Sequence, residues 1–206
     1  ILVFGRIRND NELVGYLSVL PLLTGYKLLK ETHMLHHKYT NVPEKDPDIG
    51  TKSSGFFHSL WVCGVKLRQP NAGYGLQSDF YRENISSRAF KEHLIFFWFH
   101  WILLAFLCLS GHGLVVIAIW WLPRLIGTAY LQITLSFLPH KPMEKVGRYR
   151  DTRGWKASTG TILTQGMEYH IIHHLYPSIP LHKTPSAYRD MRHILEEKNC
   201  VLDGGI

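Results

Sequence analysis

The sequence predicts an all-α membrane protein in which a transmembrane helical hairpin is joined to a polar helical cap. Two observations lead to this prediction. Residues 94–138 form a long apolar stretch whose only formally charged residue is Arg124. On either side of this stretch the chain carries the same histidine pattern, HxxHH, first at His33, His36 and His37 and again at His170, His173 and His174.

The apolar stretch has the length and punctuation of two membrane helices. Residues 94–110 are nearly all apolar and would span about 25 Å as a helix. Gly111-His112-Gly113 then interrupts the run, and residues 114–138 form a second apolar run that Pro123 is expected to kink. Two such runs joined by a glycine-rich turn predict a hairpin. A hairpin returns the chain to the face it left, so both boxes are expected on one membrane face.

The overall composition does not reveal the contrast between the apolar stretch 94–138 and the polar remainder of the chain. Hydrophobic residues make up 46% of the chain and the mean hydropathy is −0.05, values typical of a soluble protein. The net charge is +7, but no basic run of five to eight residues occurs. We therefore expect no nucleic-acid partner and instead a basic surface beside anionic lipid headgroups. Three widely spaced cysteines indicate no disulfide framework.

The flanking segments complete a single predicted domain that covers residues 1–206. Residues 12–29 are expected to form an interfacial or half-buried helix that leads into the first box. The prolines and acids between Pro43 and Asp48 end any helix there. Residues 184–198 have helical spacing after a Pro185 start and predict a surface helix, whereas no strand is predicted in residues 50–92.

The histidine boxes have the pattern of a metal site. Positions i, i+3 and i+4 share one helix face, and neutral imidazole is a ligand for iron, zinc, copper and nickel. Two such boxes would arise by chance about 0.001 times in a chain of this composition. Six imidazoles can serve one ion, but two clusters with the same pattern favour two ions, which want about eight to ten ligands. His140, where the second apolar run ends, is the next candidate ligand.

Carboxylates near the boxes are candidates for holding the ligands in place. A histidine bound to a metal usually donates its other ring N–H to a carboxylate or a carbonyl. Asp46, Asp48 and Glu168 are suitably close in sequence, as is Asp151. Each of them has an alternative role, in capping a helix or pairing with a surface arginine.

Two stretches resemble a known family: THMLHHKYTNVPEKDPD and GMEYHIIHHLYPSIP. They are similar to the membrane fatty acid desaturase superfamily, which includes acyl desaturases and desaturase-like β-carotene hydroxylases and ketolases. The resemblance implies two transmembrane hairpins and a cytosolic cap that holds a di-iron centre, with the histidines of both boxes as ligands. The family often has a further ligand after its fourth helix, and His140 in LPHKP matches that position.

The resemblance also implies a third histidine box that this sequence lacks. In the family that first box, HxxxH or HxxxxH, precedes a segment like residues 1–30. The chain is therefore expected to begin within a longer protein, without the first hairpin and two ligands. On this expectation the chain alone is inactive.

The function implied by the resemblance is O2-dependent oxidation of an unactivated C–H bond in a lipid. Fatty acyl desaturation is the first candidate reaction, and carotenoid ring hydroxylation or ketolation is the alternative, since HIIHHLYPSIP and the basic tail resemble those enzymes at least as closely. No nucleotide, haem or iron–sulfur motif is visible in the sequence, so a partner such as ferredoxin or cytochrome b5 must supply electrons.

Two other classes remain open from the sequence. A zinc-binding membrane protein needs only three or four ligands, usually including cysteine or a carboxylate, so six or seven histidines argue against it. A membrane binding module without catalytic activity is the other alternative, and it would leave the paired boxes without a role.

Overall fold

The computed structural model describes residues 8–64, 79–142, 144–156 and 161–202. In these residues the chain is helical and no strand forms, as the sequence predicts. The α-helices of this part of the chain are α1 Arg8–Val19, α2 Tyr26–Tyr39, α3 Phe56–Gly64, α4 Asp79–Asn84, α5 Ser87–Leu107, α6 Gly113–Val116, α7 Leu122–Leu131, α8 Leu138–His140, α9 Thr161–Thr164, α10 His170–Leu175 and α11 Thr184–Glu197.

Helices α5 to α8 are successive pieces of one apolar run, Ser87–His140, which is long and apolar enough to cross a membrane. The mean hydropathy of its most apolar 18-residue window is 2.5, and none of that window is buried. A core helix of a soluble protein would be mostly covered. Large side chains such as Ile95, Leu109 and Leu114 are instead exposed, and a surface of this kind requires apolar surroundings.

Gly111 divides this run into two arms. Its φ of 83° lies outside the helical range and is a conformation that glycine adopts at little cost. Further along, Pro123 has no N–H to donate to the carbonyl of Ile119, and the helix widens into a π turn over Ile117–Trp121. The distortion expected at Pro123 therefore takes the form of a wider turn just before it.

Helix α2, which carries the first histidine box, is held against the start of α5. The backbone of Gly25 approaches α5 so closely that a Cβ there would lie 2.9 Å from the Cα of His93. The Glu92 carboxylate accepts a hydrogen bond from the Lys27 backbone N–H at 3.1 Å and pairs with the Lys27 ammonium at 2.9 Å. The first box is thereby fixed in position relative to the apolar run.

The apolar face of α2 reinforces this attachment. Its buried residues belong to a core cluster made of Leu28, Leu35, Tyr81, Ile85 and Ala89. At the edge of this cluster the Glu31 carboxylate accepts hydrogen bonds from the backbone N–H and the hydroxyl of Ser86, at 2.7 and 2.8 Å. Ser86 also caps the N-terminus of α5, so one contact orients both helices.

The segment predicted as one helix over residues 12–29 is divided in the structure. Helix α1 ends at Val19, Leu23 has a left-handed φ of 57°, and α2 begins only at Tyr26. Pro21 lies in the short 3₁₀ turn that follows α1, where its missing N–H and fixed φ do not interrupt a helix. The first box therefore belongs to a separate helix that continues to Tyr39.

Helix α10, which carries the second box, packs against α11. Their buried cluster consists of Ile171, Ile172, Leu175, Tyr188, Leu195 and Leu202. The surface helix predicted over residues 184–198 is present as α11, with Tyr188 and Leu195 on its covered side. The apolar positions of HIIHHL thus anchor α10 while its histidines face α2.

Candidate metal centre

The fold brings the two histidine boxes into direct contact. His33 on α2 and His173 on α10 are 140 positions apart in the chain, yet their Nε2 atoms lie 3.1 Å from each other. The end of the apolar run joins them, since the Nε2 of His140 lies 3.3 Å from the Nε2 of His36. All seven histidines predicted as ligands meet in one region.

Cluster A consists of His33, His37 and His173. Their three Nε2 atoms form a triangle in which each side measures 3.1 Å. His33 and His37 are one helical turn apart on α2, so both project from the same face. His173 reaches them from α10.

Three nitrogens so arranged cannot all be satisfied by hydrogen bonds. In a neutral imidazole the Nε2 either carries a proton or offers a lone pair, so at most two of the three pairs are hydrogen bonds. A cation would attract three lone pairs at once. Ligand atoms about 2.1 Å from an ion and at right angles lie about 3.0 Å apart, close to the 3.1 Å in cluster A. The cluster therefore fits a metal ion.

Cluster B consists of His36, His140 and His174, whose candidate ligand nitrogens all lie within 4.8 Å of one another. The buried Nε2 of His174 has no hydrogen-bond partner among the described residues. His170 lies beside this cluster, with its ring centroid 4.8 Å from that of His174 and 5.2 Å from that of His140. Its buried Nδ1 also lacks a hydrogen-bond partner in the described part of the chain.

The two clusters touch through His37 and His174. Their rings are stacked, with centroids 4.2 Å apart and an interplanar angle of 22°. His37 belongs to cluster A and His174 to cluster B. Each HxxHH box therefore contributes to both clusters.

Asp46 holds His36 in a fixed orientation. The Nδ1 of His36 donates to the Asp46 carboxylate at 2.8 Å, which leaves its Nε2 directed at His140. Asp46 is fully buried and also accepts from the backbone N–H groups of Asn41 and Asp48, at 2.7 and 2.8 Å. A carboxylate oxygen of Asp48 lies farther from the Nδ1 of His36, at 3.6 Å.

Thr40 plays a similar part for His174, although sequence reasoning missed it. The Thr40 hydroxyl donates its proton to the His36 carbonyl at 2.6 Å, so it can only accept from the Nδ1 of His174, which lies 3.4 Å away. Protonation at Nδ1 leaves the Nε2 of His174 free as a ligand atom. No sequence pattern singles out this threonine, since its partner is 134 positions away.

Asn41 connects the end of α2 to the segment after the apolar run, and it too was missed. It has a left-handed φ of 62°, and its side-chain amide donates to the carbonyls of Lys145 and Asp151, at 2.8 and 3.0 Å. Asparagine just after a helix is a known signal for the left-handed conformation. The local conformation was therefore readable, but the distant contacts were not.

Other candidate residues have local partners. The carboxylate of Glu168 is buried and accepts a hydrogen bond from the Thr164 hydroxyl. His100 lies within the apolar run and its Nδ1 contacts the Phe96 carbonyl of its own helix at 2.8 Å. The Nδ1 of His58 contacts Ser54.

Burial keeps most of the gathered imidazoles neutral. Burial, followed by the neighbouring histidines, lowers the pKa of His37 to about 4 and the pKa of His173 to about 3. The pKa values of His33 and His174 lie well below the ordinary value for the same reasons. Burial acts to lower the pKa of His36 as well, but the hydrogen bond to Asp46 and the negative charges of Asp48, Asp46 and Asp151 together raise it. Neutral imidazole is the form that binds metal ions.

Two openings reach His37 from different sides. The first, which we call the groove, has a volume of about 820 Å³ and is lined by apolar side chains such as Met34 and Leu35 and by charged ones such as Lys27 and Lys38. The second, which we call the recess, has a volume of about 260 Å³ and is lined by residues that include His37, Lys38, Arg148 and His174. Both openings therefore reach His37 and share Lys38, but only the recess reaches His174.

Fold and site together define an all-helical protein in its described residues, with an exposed apolar run and two clusters of histidines whose spacing could hold metal ions. A family model described as fatty acid desaturase matches residues 3–204, and the chain belongs to this family. The family is one of membrane-associated oxidoreductases that generally hold two iron ions. The resemblance inferred from the two histidine stretches is thereby confirmed. No individual curated protein and no solved structure matches the chain at the significance required.

Proposed function

We propose that this protein is a membrane di-iron oxidoreductase that uses O2 to oxidise an unactivated C–H bond of a lipid, with fatty acyl desaturation as its reaction. The observation that carries the proposal is the pairing of clusters A and B, in which each box supplies ligands to both. Membership of the fatty acid desaturase family supports the same conclusion. Two bound iron ions would supply the oxidising chemistry that no side chain has.

The residues of the chain would hold these ions in two groups. His33, His37 and His173 would bind one ion. The other would be bound by His36, His140 and His174, with His170 beside them. Iron is favoured over zinc because the candidate ligands include seven imidazoles, whereas a zinc site usually has only three or four ligands in all. The carboxylates of Asp46 and Asp48 form a further candidate group with His36.

The shape of the apolar run supports a transmembrane hairpin. One end of the run contacts α2 through Glu92, and the other end contacts it through His140. Helix α2 has 14 residues and is about 21 Å long, whereas a straight helix of the run's 54 residues would be about 81 Å long. The run must therefore double back, and Gly111 is its break. We place the metal site at the cytosolic face, by analogy with the family.

The groove suits a lipid substrate. Its volume of about 820 Å³ falls within the roughly 300–1,000 Å³ of small-molecule sites. Met34 and Leu35 line it beside His37, so an apolar chain lying there would end at cluster A. Placing one carbon of such a chain beside the metal site and excluding water from it are the tasks that remain to the protein.

A product assay tests the proposed reaction. The whole gene that encodes this chain is expressed in cells that contain both acyl lipids and β-carotene, together with ferredoxin and cytochrome b5. New double bonds in the acyl chains are expected, and they should be absent in the His173→Ala variant but present in the exposed control His193→Ala. Oxidised carotenoid with unaltered acyl chains would overturn desaturation in favour of carotenoid oxidation.

Metal analysis tests the cofactor separately. Protein purified from iron-replete cells is expected to contain iron, with little zinc. Zinc in stoichiometric amounts, together with no oxidised product, would overturn the di-iron proposal.

A further inference from the structure

The recess lies directly over the junction of the two clusters. Both His37 and His174 line it, and these are the stacked rings that join cluster A to cluster B. A partner that covered the recess would therefore come close to both candidate metal sites at once. The groove, in contrast, reaches His37 and is not lined by His174.

The rim of the recess is basic. Lys38 and Arg148 line it and are exposed, and Lys145 and Arg150 are exposed close by in sequence. The Lys38 ammonium lies over the ring of Tyr39 at 4.9 Å. The Arg148 guanidinium donates to the Leu175 carbonyl at 2.9 Å.

In the part of the chain that the structure describes, neither Lys38 nor Arg148 has a carboxylate within ion-pair distance. The acidic residue that lines the recess, Asp151, is buried. The exposed acidic residue nearest in sequence to Lys145, Glu144, pairs with Lys52 at 4.0 Å. The rim therefore presents the exposed positive charges of Lys38 and Arg148. A surface of this kind attracts an acidic partner and accelerates its association.

The recess does not suit the lipid substrate. Its volume of about 260 Å³ is below the range of roughly 300–1,000 Å³ typical of small-molecule sites, and polar residues contribute to its wall. The groove on the other side of His37 has about three times that volume and includes the apolar side chains of Met34 and Leu35 in its lining. The recess is better suited to a partner that lies across it than to a molecule that enters it.

We propose that the recess is the docking site of a small acidic protein that carries one electron, and that its electrons enter at the stacked rings of His37 and His174. This inference rests on the proposed function, which needs a reductant from outside the chain. Each docked carrier is oxidised by one electron. Two such electrons and two protons, with the two hydrogen atoms removed from the acyl chain, balance the reduction of one O2 to two water molecules.

Charge reversal on the rim tests this proposal. The iron-loaded protein in neutral detergent is mixed with reduced [2Fe–2S] ferredoxin or, in a second arm, with reduced cytochrome b5, and the rate of donor oxidation is followed. Lys38→Glu and Arg148→Glu are each expected to slow the reaction with an acidic donor about ten-fold at low salt, with a smaller effect at high salt. Oxidation of dithionite, a small anion that needs no docking surface, is expected to slow much less than oxidation of the protein donor.

Matched variants separate charge from structure. Arg189→Glu on α11 makes the same charge change at an exposed position outside the recess and is expected to leave the donor rate unchanged. Arg148→Gln removes the positive charge without reversing it, so it should give an intermediate rate. Equal slowing of dithionite and protein donors, or an unchanged donor rate in both rim variants, would overturn the proposal.

A binding measurement distinguishes this proposal from the function on which it rests. Oxidised ferredoxin is titrated into metal-free protein by calorimetry, so binding is measured without turnover. Loss of binding in Lys38→Glu supports the docking site even if the product assay fails. If the Lys38→Glu variant binds ferredoxin normally but associates more weakly with anionic vesicles, the docking proposal is overturned and the rim is assigned to lipid headgroups.

Discussion

The imidazole of His36 and the carboxylate of Asp46 form a buried pair in which the Nδ1 of His36 donates at 2.8 Å. Their side chains are 2% and 0% exposed. The pair connects cluster B to the loop after α2, because the same carboxylate also binds the backbone of Asn41. The loop that follows the first box is thus part of the candidate metal site.

Replacing Asp46 by Asn is expected to lower the affinity of cluster B for metal about 10- to 100-fold. The neutral amide oxygen is a weaker acceptor for His36, and the amide NH2 cannot accept from the backbone N–H of Asn41 as the carboxylate does. Chelator competition measures the affinity. Asp48→Asn is the matched control, since its carboxylate lies 3.6 Å from His36 and is 43% exposed. Equal affinities for the Asp46 variant and the natural protein would contradict the role given to this pair.

His33 and His140 belong to different clusters, so their replacement is expected to remove different ions. Each single change to Ala should lower bound iron from about two ions per chain to about one, and the double variant should bind almost none. Elemental analysis of purified protein measures this, with exposed His193→Ala as the control. A single variant that kept both ions would argue against one ion per cluster.

Thr40→Val preserves shape but removes the oxygen that accepts from His174. We expect metal affinity to fall about 10-fold, at the lower end of the effect of such partners, because the hydrogen bond is long. Thr40→Ser should restore most of the affinity, since it returns the hydroxyl. If valine and serine bind metal equally well, the hydroxyl has no role.

Gly25→Ala is expected to destabilise the fold by about 1–3 kcal/mol, because the added Cβ would lie 2.9 Å from the backbone of α5. Gly127→Ala, within α7, is the matched control: no atom lies within 4 Å of its Cβ position, so alanine should stabilise the helix by up to about 1 kcal/mol. Denaturant unfolding in detergent measures both. Destabilisation of similar size at the two positions would contradict the close contact of α2 with α5.

The metal-free protein is expected to lose stability as the pH falls from about 6.5 to about 4. In this range the unfolded chain binds protons at His37 and His173, whereas the folded chain, with pKa values of about 4 and 3, does not. Burial raises the pKa of Asp151 to about 6, so this carboxyl group stabilises the folded chain as the pH falls. It is a single group, whereas the two histidines act together in the opposite direction. Thermal unfolding measured across this range should show the loss.

The matched control for this pH dependence is a variant in which both His37 and His173 are replaced by Ala. Without the two imidazoles, the unfolded and folded chains differ less in bound protons, so the midpoint temperature should change less with pH. An equally steep dependence in this variant would assign the effect to other groups.

The helical class and the apolar run follow from local patterns and were predictable. These features depend only on residues close together in the sequence. They are the length of the apolar run 94–138, the glycines at 111 and 113, and the helical spacing of α11. The break between α1 and α2 was less apparent. The apolar content of residues 12–29 suggested one helix, although Pro21 and Gly25 interrupt that segment. In the structure the break lies at Leu23, which has a left-handed φ of 57°, and Gly25 just after it lies against α5, a tertiary contact that the segment's own pattern does not encode.

The sequence by itself determined the seven candidate ligands, since histidines in two repeated boxes and at the end of an apolar run are chemically distinctive. Only the tertiary structure decided how they are shared. His33 and His37, which are four residues apart, lie on the same face of α2 and both belong to cluster A. His36 is directed toward His140 and belongs to cluster B. These partners, and Thr40 beside His174, are more than 100 positions apart. Such pairings depend on how helices pack, which the spacing within one box does not encode.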